Sequence, residues 1–70
     1  MLSKRIAHLR KKKGMSQSQL AAALNVRPST IGMYEQGRRV PDLSTLISIS
    51  RLFGVSLDYL VTGKEFIQTK

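Results

Sequence analysis

Seventy residues, with 12 Lys and Arg against 4 Asp and Glu for a formal charge of +8, make one small domain. A chain of this size buries only about 60–65% of its unfolded surface, so compact helices are the economical architecture. The absence of cysteine excludes disulfides and thiolate metal sites, in keeping with an intracellular protein, and no apolar run approaches the roughly 20 residues that span a bilayer.

The first six residues carry charge with no apolar stretch behind them, so no signal peptide is expected. Leu2, Ile6 and Leu9 recur at helical spacing, with Ser3 available as a cap. These three are expected to cover the second and fourth helices. The helix ends in Lys11-Lys12-Lys13, favourable at the negative end of the helix dipole, and Gly14 stops it. Ser16 with Gln19 three residues on is a capping box, opening a second helix that carries Leu20, three alanines and Leu24. Asn25 tolerates the left-handed turn that follows.

Pro28 suits the first turn of a third helix, where its missing N–H would be unpaired anyway, and Gly37 ends it. Gly32 weakens this short helix by up to about 1 kcal/mol against alanine, so docking must hold it. Arg38-Arg39-Val40-Pro41 is a loop. Asp42 caps a fourth helix with Leu43, Leu46, Ile49, Leu52 and Phe53, closed by Gly54; Ser56 caps a short fifth, Leu57 to about Val61, before Thr62-Gly63. Nothing alternates with period two, so the fold class is all-α: a compact five-helix domain over 1–63 with a C-terminal tail over 64–70 that is expected to fray.

Charge is distributed unevenly. Residues 1–34 hold seven basic residues (Lys4, Arg5, Arg10, Lys11, Lys12, Lys13, Arg27) and no acidic one, which favours a polyanionic partner. Two short helices joined by a tight turn in a basic domain form the unit that sets a helix into the major groove of DNA. Leu20, Leu24, Val26, Ile31 and Tyr34 form the internal set, with Ala21 at the crossing. With Ile31 at zero and about 100° of rotation per residue, Ser29 and Met33 fall on the opposite side; Gln36 also points outward, and Thr30 and Gly32 lie on the flanks.

The stretch "MSQSQLAAALNVRPSTIGMYEQGRRVPDLSTLISISRLFGVSLDYLVTG" resembles the lambda-repressor-like, Xre/Cro-type helix-turn-helix family, to which the phage 434 repressor DNA-binding domain belongs. The markers are Ser-Gln at the start of the second helix, Ala21, a Tyr-Glu-x-Gly end to the third, the following proline and "GVSLDYLVTG". The resemblance implies a cytoplasmic, prokaryotic transcriptional regulator, a repressor of prophage or similar type, that binds double-stranded operator DNA as a homodimer with the helix-turn-helix at helices two and three. It implies Gln17 beside a phosphate at the start of helix two, and Arg27, Pro28, Ser29 and Met33 along the groove, with Thr30 and Gln36 among the contacts. The amides around Gly37, with Arg38 and Arg39, would clamp the next phosphates. Arg10 and Glu35 stand where the family often has a partly buried ion pair, and Glu35 is expected to be the sole acidic residue near the DNA face.

Relatives often begin the third helix with Ser, Thr or Asp; Arg27 caps poorly but can reach phosphate or guanine. Pro28 offers no donor, Ser29 discriminates weakly and Met33 suits a thymine methyl, so specificity is expected from Arg27 or DNA shape. Leu57, Tyr59, Leu60 and Val61 exceed the docking needs of a short helix and suggest a dimer contact, with core closure as the alternative. Arg5 is expected on the outward side of helix one, in DNA contact or merely solvated. His8 is a lone surface histidine. There is no nucleophile–base set, paired-carboxylate cleft, glycine-rich phosphate loop or metal cluster, so neither an enzyme nor a cofactor, metal or small-molecule substrate is expected. Membrane-surface binding by helix one would expose core residues. The rival reading is a helix-turn-helix antitoxin or protein-interaction adaptor on the same fold.

Overall fold

The computed structural model describes residues 2–64; the expected tail lies, beyond Lys64, outside the described residues. Five helices follow one another: α1 (Leu2–Lys12), α2 (Gln17–Leu24), α3 (Pro28–Gln36), α4 (Leu43–Phe53) and α5 (Leu57–Thr62). No strand occurs among the described residues.

Local chemistry sets the helix ends. The Ser16 hydroxyl accepts from the Gln19 amide at 3.0 Å while Gln19 Oε1 accepts from the Ser16 amide at 2.8 Å, closing the capping box of α2. Asn25 closes the same helix at φ 59°, the one non-glycine residue in the left-handed region among those described. Asp42 and Ser56 accept from the amides three residues on and start α4 and α5. Ser3 lies inside α1 and does not cap it, because the helix already begins at Leu2.

The core is one cluster: Ile6, Leu9, Leu20, Ala21, Ile31, Tyr34, Ile49 and Leu60, with Leu24, Val26, Leu46, Leu52 and Phe53 partly buried around it. Fully burying an isoleucine or leucine contributes about 1.5–3 kcal/mol, so few contacts can be spared in a domain this small. The apolar face of α1 meets mainly α3 and α5, not the α2 and α4 expected from the sequence; α2 packs on α3 and α4, and α4 on α5. Leu43, counted on the buried face of α4, is instead 67% exposed, while Pro41 beside it is buried. The chain turns inward at the proline and leaves the first residue of α4 outside.

Candidate nucleic-acid interface

α3 is held from behind. Ile31 is fully buried, Tyr34 is 5% exposed, and both face the core. On the opposite side Ser29 and Gln36 are exposed, with Met33 and Thr30 half-buried. The helix starts at Arg27, whose side chain makes no cap hydrogen bond, and Pro28 occupies the first turn. The Arg27 guanidinium is therefore not spent on the helix it precedes.

Arg10 fixes the position of α3 relative to α1. Its Nε donates to Glu35 Oε2 at 2.6 Å and its Nη2 to Oε1 at 3.1 Å, a two-pronged charge-assisted contact, while Nη1 donates to the Met15 carbonyl at 2.7 Å. Burial alone pushes the Glu35 carboxyl up. The hydrogen bonds from Arg10 and Gln17 and the charges of Arg10 and Lys11 outweigh that and hold it below its ordinary value. Hydrogen bonding to Glu35 in turn raises Arg10 against the opposing effect of burial. The carboxylate is thus neutralised before any anion approaches the exposed face.

Gln17 sits at the junction of α2 and α3, where its Nε2 donates to Glu35 Oε1 at 3.0 Å. Ser16 and Gln19 satisfy each other, but the Gln17 and Ser18 amides find no protein acceptor among the described residues. Open amides at the positive end of a helix suit an anion. The opposite end of α3 differs from expectation. The amides of Gly37, Arg38 and Arg39 donate to the Tyr34 and Met33 carbonyls at 3.2, 2.9 and 3.4 Å, made possible by Gly37 at φ 76°. They close the helix and are not a free amide clamp, so the exposed side chains of Arg38 and Arg39 are what this corner offers an anion. Neither they nor Arg27 make an ion pair among the described residues.

Between α3 and the start of α4 runs an open groove of about 450 Å³, bordered by Arg27, Ser29, Thr30 and Met33 on one side and Arg39, Asp42 and Thr45 on the other. Asp42 and Thr45 were not foreseen there, and Glu35 is not the sole acidic residue near this face. The signal lay in the shortness of the link between the helices, residues 37–42, which obliges α4 to start beside α3.

The remaining expected residues divide. Leu57 and Val61 are 37% and 47% exposed, Tyr59 is half-buried, and Leu60 is 0% exposed. Leu60 closes the core and cannot face a second molecule, a correction to its place in the expected dimer contact. Arg5 is not outward either. Its Nη1 donates to the Leu60 carbonyl at 3.0 Å and its guanidinium lies 5.7 Å from the centre of the Tyr59 ring. A cation thereby caps the carbonyl end of α5.

Among the described residues no three His, Cys, Asp or Glu side chains lie close enough to share a metal ion, and no helix is long and apolar enough to cross a membrane.

Known proteins share this arrangement. The helix-turn-helix family model matches residues 6–60. The HTH-type transcriptional regulator ImmR of Bacillus subtilis (strain 168) is 39% identical over 69 residues, which are 99% of this chain and 54% of that protein. The SPbeta prophage-derived uncharacterized HTH-type transcriptional regulator YonR, from the same organism, is 40% identical over 63 residues, 90% of this chain and 58% of that protein. The P22 c2 repressor protein in complex with synthetic operator 9T superposes with a TM-score of 0.86 at 28% identity, covering 91% of this chain and 97% of that one. The chain spans little more than half the length of these two curated relatives. With its five helices, its capped turn between α2 and α3, and this family match, the chain belongs to the lambda-repressor-like, Xre/Cro-type helix-turn-helix family.

Proposed function

We propose that this domain is the double-stranded-DNA-binding part of a sequence-specific transcriptional regulator, a repressor of prophage or similar prokaryotic type acting in the cytoplasm without enzymatic activity. The observation that carries the reading is the division of α3: Ile31 and Tyr34 buried, Ser29 and Gln36 exposed, Met33 half-buried, and, around that face, Arg27, Arg38 and Arg39, which make no ion pair among the described residues. A helix so held can lie in the major groove, with Ser29, Met33 and the flanking Thr30 at base edges and Arg27 at phosphate or guanine. Pro28 packs its ring against the groove wall, and Gln36 reaches outward near the end of the helix. The open amides at Gln17 and Ser18 take a phosphate on one side, and Arg38 and Arg39 take phosphates on the other. The relatives' names and the operator-bound repressor support the same assignment.

The protein works as a homodimer in this reading, with Leu57, Tyr59 and Val61 at the contact and half-sites about one helical turn, roughly 34 Å, apart. The test is duplex affinity measured across a salt series. Each phosphate neutralised contributes about −0.9 to the log–log slope, so several contacts give a steep fall. Binding indifferent to salt between low and physiological concentration would count for an adaptor that recognises protein.

A further inference from the structure

The groove beside α3 contains a group that works against phosphate. Asp42 is exposed and lines the same groove as Arg27, Ser29, Met33 and Arg39. Its Oδ1 accepts from the Thr45 amide at 2.9 Å and from the Ser44 hydroxyl at 3.2 Å, which fixes the carboxylate at the start of α4. Both of these bonds fall on Oδ1. No Lys or Arg lies within ion-pair distance of it among those residues. Hydrogen bonding to Thr45 and Ser44, then the charge of Arg39, hold the carboxyl below its ordinary value, so it is ionised at neutral pH.

Capping alone does not require this charge. The chain caps α2 and α5 with the neutral hydroxyls of Ser16 and Ser56, each accepting from the amide three residues on. Among the described residues Asp42 is the one charged side chain that accepts a capping hydrogen bond, and it stands in the groove with the arginines. We infer that Asp42 is an affinity-setting residue of the DNA face, a fixed carboxylate that opposes the phosphates drawn in by Arg27 and Arg39 and so lowers sequence-independent binding. The inference rests on the DNA-binding reading above. Its consequence is a domain that leaves bulk DNA readily, because the non-specific part of its affinity is phosphate attraction. A base-reading role, with Asp42 accepting from a cytosine amino group, is the competing use of a carboxylate at this place. It is disfavoured because a short side chain tied to its own helix end has little reach into a groove floor.

The experiment replaces Asp42→Asn and, separately, Asp42→Ser, since both residues cap as well as aspartate. Unchanged thermal midpoints establish that the cap survives. Affinity is then measured for a selected site and for a scrambled duplex at several salt concentrations, beside the wild type. Both variants bind both duplexes about two- to fivefold more tightly, the range for an exposed charge interaction. The gain shrinks as added salt shortens the screening length. Equal or weaker binding by two well-folded variants overturns the inference, as does a change confined to one sequence, which would make Asp42 a base reader. A wild-type protein whose duplex binding ignores salt overturns the DNA reading itself, and the role of Asp42 with it.

Discussion

Glu35 receives two hydrogen bonds from Arg10, at 2.6 and 3.1 Å, and a third from Gln17 at 3.0 Å, so one carboxylate joins α1, α2 and α3. The pair stands just behind the proposed recognition face, with the Arg10 and Glu35 side chains only 10% and 8% exposed. Arg10 thus has its guanidinium bonded to Glu35 and to the Met15 carbonyl. Arg10→Met should lower stability by about 3 kcal/mol by leaving a buried carboxylate unpaired, read as a drop in thermal midpoint. A variant that melts normally yet loses DNA would move Arg10 to the interface.

The same carboxylate gives a pH dependence with a definite sign. Glu35 is held below its ordinary value in the folded domain, so its contribution is fully present above the unfolded glutamate value of about 4.3. That contribution is lost as pH falls through the lower folded value. Urea unfolding between pH 6 and the acid limit should show the wild type weakening below about 4.3. Glu35→Gln should be less stable at pH 6 and should lose less in acid. Parallel curves for the two proteins would contradict the assignment.

At the far end of the molecule, Gly63 has φ +80° and the Arg5 guanidinium lies where a Cβ would stand. Gly63→Ala should cost about 1–2 kcal/mol from the left-handed backbone alone. It should also displace Arg5 from the Leu60 carbonyl. Thermal melts of Gly63→Ala, Arg5→Met and the double variant check this. The double variant should melt above the sum of the two single losses, because both disturb one contact.

How much of this was legible depended on the range of the interactions. The helix ends could be read from Ser16 with Gln19, from Gly37, and from Asp42 and Ser56, because a cap is settled within three or four residues. The inward set of α3, Ile31 and Tyr34, followed from helical rotation. What α1 touches did not follow, since an apolar stripe names the buried side of a helix and not the neighbour that buries it. The inward turn of Arg5 is hidden for the same reason: its partners Tyr59 and Leu60 lie more than fifty residues away, the Leu60 contact at a separation of 55. That the amides of residues 37–39 are closed is not legible locally, because the sequence shows Gly37 but not which carbonyls its turn leaves within reach. Asp42 was read as a cap, which it is, with nothing local to say that α4 begins in the groove of α3.

Phosphate and base contacts should separate on substitution. Arg38→Ala should weaken binding to all duplexes alike and make the salt slope shallower by about 0.9. Met33→Ala and Ser29→Ala should instead change the preference among sites, by about 1 kcal/mol or less at the affected base pair, since neither side chain makes the bidentate contact that is worth about 1–3 kcal/mol. Competition binding against a panel of single-base variants reads both effects. Identical behaviour in the two classes would place α3 outside the groove.

Selection of bound duplexes from a random pool, with the wild-type protein and with Met33→Ala, decides whether α3 reads DNA. The wild type should enrich a motif of two symmetric half-sites about 34 Å apart, and the variant a motif altered at defined positions within each half. Recovery of duplexes without a common motif, or of the same motif from both proteins, would contradict that role for α3.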